Sequence, residues 1–393
     1  MAIKPREGLS SNSLPQIRYA NVCWLCSSLV GIVVAIGCGG VSVGDLGGSN
    51  GTQTTRAALG KAIFFDTSLS TPKGMSCGTC HAANKGFADP RPGSTSEGVI
   101  AGRFGNRNAP SVQYMAFSPK FDPNGGTNGG AIGGQFWDGR AASLEDQVQG
   151  PMLNPLEMNN PSIDAVVAKL KVGPEAKAIK KLYGDTVFDD PAQAFAAMQD
   201  AIATFERTPE VSPFTSKFDA YLRGTAHLSD AEARGLALFN GKALCSTCHS
   251  STPLPDGTPP LFTNFTYSNL GLPKNAYNPY YKNPSQFNPL GSNYVDYGLY
   301  NTTTRETDKG LFMVPTLRNI SVTAPYFHNG IFQSLGEAIL FYNTSQLGQV
   351  FGPAEVQQNV DTTVMGKLSL SSDEVQDLTT FLQTLTDGYV PKP

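Results

Sequence analysis

The sequence predicts a mainly α-helical protein of two related domains with long loops, on three observations. A Cys-x-x-Cys-His pattern occurs at Cys77–His81 and again at Cys245–His249. Each copy follows an apolar segment with the same frame, Gly60-Lys61-Ala62-Ile63-Phe64 before the first and Gly235-Leu236-Ala237-Leu238-Phe239 before the second. Elsewhere apolar residues recur at helical spacing, several times behind a Ser-x-x-Glu start, while alternating strand patterns are weak. With 393 residues, at about 100–200 per domain, two domains are expected once a leader is set aside.

Residues 1–38 read as a targeting segment. Lys4, Arg6 and Arg18 form its positive end, and the apolar run Val22 to Ile36 is short of the roughly 20 residues a membrane span needs. Ala35-Ile36-Gly37-Cys38 resembles a bacterial lipobox, which makes Cys38 a candidate lipid anchor. Ordinary cleavage nearby and an uncleaved anchor are the alternatives. Residues 39–53, rich in Gly and Ser, read as a flexible tether. The expected domains are then 54–225 and 226–393.

Within the first domain, Leu59, Ile63 and Phe64 give a short helix over 54–65. Residues 82–134 are dominated by Gly, Pro and Asn and read as a long functional loop. Helical patterns return over 163–171, 175–182 and 192–207, the last with Ala194, Phe195, Met198, Ile202 and Phe205 in one stripe. In the second domain, Ser229 with Glu232 opens a helix running to Phe239. Residues 251–310 read as loop. Ser334 with Glu337 opens a helix through Tyr342, and Ser371 with Glu374 opens the last one, with Val375, Leu378, Phe381, Leu382 and Leu385 on one face.

The repeated motif carries the chemistry. Two thiols three residues apart can add to the two vinyl groups of a haem, and the adjacent imidazole can reach the iron. A zinc site would want four N/S ligands, and a redox pair needs no trailing histidine. Recurrence of the whole pattern favours two covalently bound haem c groups, held by Cys77, Cys80 and His81 and by Cys245, Cys248 and His249, in cytochrome c-like domains. The other three of the seven cysteines lie in the first 40 residues, so no pair is left for a disulfide once that segment is removed. Covalent haem points to an exported bacterial protein on the periplasmic side of the cell envelope. A net charge of −3 favours neither nucleic acid nor an anionic membrane surface.

Function then depends on the sixth position of each iron, since a filled site transfers electrons and an open one binds small molecules. Of four histidines, His81 and His249 are committed. His227 precedes a helix cap and reads as a surface residue. His328 sits in the aromatic turn Pro325–Gly330, where iron, a haem propionate or a backbone carbonyl are all possible partners. Tyr342 shares an inward helical face with Leu335 and Ile339. A buried tyrosine hydroxyl needs a partner, either a carbonyl or an iron.

From about Thr55 to Asp387 the chain resembles the bacterial di-haem cytochrome c peroxidases, together with MauG and its relatives. The resemblance rests on Leu59-Gly60-Lys61 with Phe64-Phe65-Asp66, on Arg107-Asn108-Ala109-Pro110, and on Gln135 through Ala141. Further matches are Gly150-Pro151-Met152 with Asn154, Pro155 and Glu157, then Val314 through Asn319, and Pro325 through Gly330. It implies that the N-terminal haem reacts with hydrogen peroxide, with Gln147 and Glu157 as the distal pair and Glu157 moving a proton between the peroxide oxygens. It implies that Trp137 relays electrons between the haems. It also implies a calcium ion held by Asn108 and the backbone oxygens of Thr323 and Pro325.

Two departures point to a MauG-like subtype. No histidine occurs between His81 and His227, so the removable distal ligand of other peroxidases in the group is missing and the N-terminal iron is expected to be open. Tyr342 stands where those peroxidases carry a methionine ligand, as in MauG-type proteins, and becomes the expected distal ligand of the second iron. The expected activity is peroxide reduction, with electrons from a redox protein (a cytochrome c or a cupredoxin) or from a protein substrate. A non-catalytic di-haem electron carrier would need both irons saturated, with Met115, Met152 or Met158 as the remaining candidates. A haem-based sensor would have little use for Gln147 and Glu157.

Overall fold

The computed structural model describes residues 55–345, 350–363 and 365–391. The expected leader 1–38 with Cys38, and the tether 39–53, lie outside the described residues.

Thr55 accepts a hydrogen bond from the Ala58 amide and starts α1 (Arg56–Phe64), which buries Leu59, Ile63 and Phe64. The first motif is a one-turn helix, α2 (Cys77–Cys80). From there to Leu144 the chain has only loops and short 3-10 turns, in line with its glycine and proline content. Ser143 and Ser162 cap α3 (Leu144–Leu153) and α4 (Ile163–Val172). Next come α5 (Ala176–Tyr183) and α6 (Pro191–Glu206), the latter with Pro191 at its first position. The second half has α7 (Lys217–Leu222), α8 (Asp230–Asn240), α9 (Tyr300–Thr303), α10 (Leu335–Thr344) and α11 (Ser372–Gln383). Two-residue strands β1 (Tyr267–Ser268) and β2 (Phe312–Met313) pair antiparallel.

Each half has its own apolar core. One runs from Leu59 to Val211 and the other from Phe218 to Leu385. All five apolar residues of the α6 stripe are buried, and each large one contributes roughly 1.5–3 kcal/mol.

The shared frame before each motif now has a physical cause. On α1, a Cβ at Gly60 would stand 1.8 Å from the Ala201 carbonyl oxygen on α6. On α8, a Cβ at Gly235 would stand 2.1 Å from the Asp377 carbonyl oxygen on α11. In both halves a glycine lets the helix before the haem motif lie directly on its partner's backbone. The phenylalanines four residues on, Phe64 and Phe239, are each 1 % exposed.

Three helices escape the sequence expectations. α3 contains Gly150-Pro151, which reads as a breaker because proline lacks the amide hydrogen; the helix nonetheless continues through Pro151 to Leu153. α7 is opened by a capping box in which Asp219 replaces the usual Glu or Gln, and α9 is a single turn. Asp219 also accepts both Arg318 nitrogens, at 2.8 and 2.9 Å, in a pair whose side chains are wholly buried. Tyr114 and Phe214 flank that guanidinium, with ring centroids 4.8 and 4.5 Å from its carbon.

Candidate active site

Two cavities flank Trp137, and each is built around one Cys-x-x-Cys-His motif. The first is lined by Cys80 and His81 and the second by Cys245, Cys248 and His249. In each, the histidine Nδ1 meets a phenylalanine carbonyl: His81 that of Phe87 at 3.1 Å, His249 that of Phe262 at 2.8 Å. Both phenylalanines are left-handed, at φ 53°. That conformation costs on the order of 1 kcal/mol, and here it lies at the ligand-orienting position. A proton held on Nδ1 leaves Nε2 as the ring nitrogen for a metal. Burial lowers the proton affinity of both rings, that of His249 to about 4, which keeps the neutral, ligating form.

The first cavity also holds Gln147 from α3 and Glu157 from just beyond it, with Phe136, Arg140 and Pro151. Asn154, the C-cap of α3, donates to Glu157 Oε1 at 2.7 Å. The Glu157 backbone oxygen accepts from Val99 at 2.8 Å. Burial pushes the Glu157 carboxyl above its ordinary range, against the Asn154 hydrogen bond and the Arg140 charge. A carboxyl that is readily neutral and firmly placed suits proton transfer. No histidine other than His81 lines this cavity. Met152 and Met158 are buried in the apolar core, whereas Met115 lines both cavities.

Trp137 faces both cavities, and its indole N–H donates to the Asn108 carbonyl at 2.9 Å. Residues 108–111, Met115, Met313 and Pro315 share that double exposure.

In the second cavity Tyr342 faces the same space as His249, beside Leu335 and Ile339. Burial raises the phenol's pKa. Among the described residues none hydrogen-bonds its hydroxyl. His328 also lines this cavity. It stacks on Phe312 at 3.5 Å and 7°, and its Nε2 has no hydrogen-bond partner among the described residues. His227 is exposed.

The donors present fit two haems: an oriented imidazole in each cavity, with Cys245 and Cys248 lining the second and Cys80 lining the first while Cys77 packs against the apolar core. For a hard cation, Asn108 Nδ2 lies 2.7 Å from the Pro325 oxygen and 3.3 Å from that of Phe327. Rotating the amide would put its oxygen there instead. Among the described residues no group of three or more His, Cys, Asp or Glu is assembled for a metal.

Residues 54–227 match the family model described as di-haem cytochrome c peroxidase. The methylamine utilization protein MauG of Paracoccus denitrificans is 39 % identical over 352 residues, covering 84 % of this chain and 88 % of that protein. The chain belongs to the di-haem cytochrome c peroxidase and MauG family. It is thereby an oxidoreductase of a family that carries two haem c groups. The cytochrome c peroxidase Ccp of Escherichia coli is 33 % identical over 86 % of this chain and 60 % of its own length. The solved diheme peroxidase BthA of Burkholderia thailandensis has a TM-score of 0.75 at 32 % identity, covering 85 % of this chain and 86 % of its own.

Two site residues escaped the sequence reading. Arg140 lies within a family-like stretch, and its guanidinium stacks 3.6 Å from the Phe136 ring centroid while pairing with Asp138. Glu206, at the end of α6, lines the first cavity and is 3 % exposed. The signal was available: Glu206 lies four residues after Ile202, on the apolar face of α6. No helix among the described residues is long and apolar enough to cross a membrane.

Proposed function

We propose that the protein is a hydrogen peroxide-dependent di-haem oxidoreductase of MauG-like type. The observation that carries this is the pairing of Gln147 and Glu157 with His81 in a cavity that has no second histidine. When bound, the two haems, held by Cys77, Cys80 and His81 and by Cys245, Cys248 and His249, would supply the redox chemistry that peroxide reduction needs. Gln147 orients the peroxide through its amide. Glu157 takes a proton from one peroxide oxygen and returns it to the other. Arg140, over Phe136, adds positive charge at the same wall. Trp137, which lines both cavities, would be the side chain between the two haems. Tyr342 would help hold the second haem, and a phenolate there would favour its higher oxidation state.

The electrons come from a redox protein, a cytochrome c or a cupredoxin, or from side chains of a protein substrate. The protein works on the periplasmic side of the cell envelope, with Cys38 as a possible site of lipid attachment. Asn108, with the backbone oxygens of Thr323 and Pro325, holds a calcium ion that ties the two halves together.

A Glu157→Gln variant tests the reading. It should keep two haems by pyridine haemochrome assay and slow peroxide-driven oxidation of the haem pair by about 10²–10³-fold. Unchanged kinetics would remove Glu157 from the chemistry. A resonance Raman spectrum of the oxidised protein without a tyrosinate signature would remove Tyr342 from the iron.

A further inference from the structure

The second cavity is largely apolar, with one acidic corner where Asp296 and Glu355 meet from separate loops. Asp296 is fully engaged: Arg107 holds its two oxygens at 2.6 and 2.7 Å. Glu355 is not. Its side chain is 7 % exposed, and its Oε1 has no hydrogen-bond partner among the described residues. The nearest cation, Lys274, stands 4.0 Å away and already donates to the Ser292 and Tyr294 carbonyls.

The charged and titratable groups around Glu355 are few. Asp296 and the phenol of Tyr281 raise its proton affinity or are raised by it, and Lys274 opposes. Arg107 and His328 act on Asp296 behind it. Burial first, then the Asp296 charge, push the Glu355 carboxyl up to about 7, against Lys274 and the Asp296 amide.

An electron entering this cavity adds negative charge to a space of low dielectric, which raises the proton affinity of an acid that lines it and has no close cation. Asp296 cannot respond, because Arg107 holds it ionised. An acid balanced near neutrality can.

We propose that Glu355 is the charge-compensating residue of the C-terminal haem, taking up a solvent proton as an electron arrives there and releasing it as the electron leaves. The electron comes from an external one-electron donor and reduces the ferric iron to ferrous. The proton converts the Glu355 carboxylate to the acid, and no other bond changes. Glu355 acts on the iron only through charge. This inference rests on the reading that a haem occupies this cavity.

The test is a spectroelectrochemical titration of the holoprotein between about pH 5.5 and 8.5, where such an acid titrates. The C-terminal haem's potential should fall as pH rises above about 7, with a slope of a fraction of a proton per electron. Glu355→Gln should flatten that slope and leave the potential higher than wild type at the alkaline end. Lys274→Met, which removes the opposing cation, should move the pH-dependent window upward. A Glu355→Gln protein that keeps the wild-type slope, or a wild type with two haems and no slope, overturns the proposal. A haem count of one by pyridine haemochrome assay overturns instead the functional reading beneath it.

Discussion

Glu206 makes stability depend on pH in a direction that can be worked out in advance. Its carboxyl is buried at the end of α6 with no hydrogen-bond partner among the described residues, and burial pushes it from 4.5 to about 8. Arg207 pulls the other way, but its guanidinium is occupied by Glu145 at 2.6 Å. A haem bound in the adjacent cavity would remove still more water from the site. Because the folded-state pKa is raised, Glu206 favours folding fully below its unfolded value, and that contribution is lost as pH rises through about 8. A gap of about 3.5 pH units, at about 1.36 kcal/mol each, makes the loss on the order of 5 kcal/mol. Glu206→Gln keeps the shape and removes the titration. Urea unfolding of both holoproteins across about pH 5 to 9 measures the difference. Wild type should lose stability over this range and the variant should lose several kcal/mol less. Parallel curves would refute the assignment of Glu206 as a buried neutral acid.

Two further outcomes follow from packing. Gly60→Ala gains about 1 kcal/mol of helix propensity but places a methyl 1.8 Å from the Ala201 oxygen. Overpacking should win, with a net loss of about 2 kcal/mol or more, read as a lowered urea midpoint; a stabilised variant would contradict the close crossing of α1 on α6. Asp219→Asn leaves the buried Arg318 charge uncompensated, with one neutral amide oxygen in place of a carboxylate beside the Pro260 carbonyl at 2.7 Å. A loss of about 3–5 kcal/mol is expected in the same assay, and a change under about 1 kcal/mol would show the pair to be dispensable.

Much of this protein was legible without its fold. Haem attachment depends on a spacing within five residues, so its signature at Cys77–His81 and Cys245–His249 is local. The capping boxes at Ser229, Ser334 and Ser371 are equally local, because cap and partner lie within one turn. The Gly-x-x-x-Phe frame marked a shared pattern in the two halves but not its cause. Its reason, a helix pressed on another's backbone, needs Ala201 and Asp377 in place.

What tertiary structure alone decided is which distant residues share a space. It brought Gln147, Glu157 and Glu206 around one cavity and Tyr342, His328 and Glu355 around the other. It paired Arg318 with Asp219 across 99 residues. No periodicity encodes such meetings, since they follow from how loops and helices close over a core. Charge follows the same rule: in the sequence Glu206, Glu355 and Asp296 are ordinary carboxylic acids with similar unperturbed pKa values. Burial and the presence or absence of an arginine drive them to about 8, about 7 and about 2.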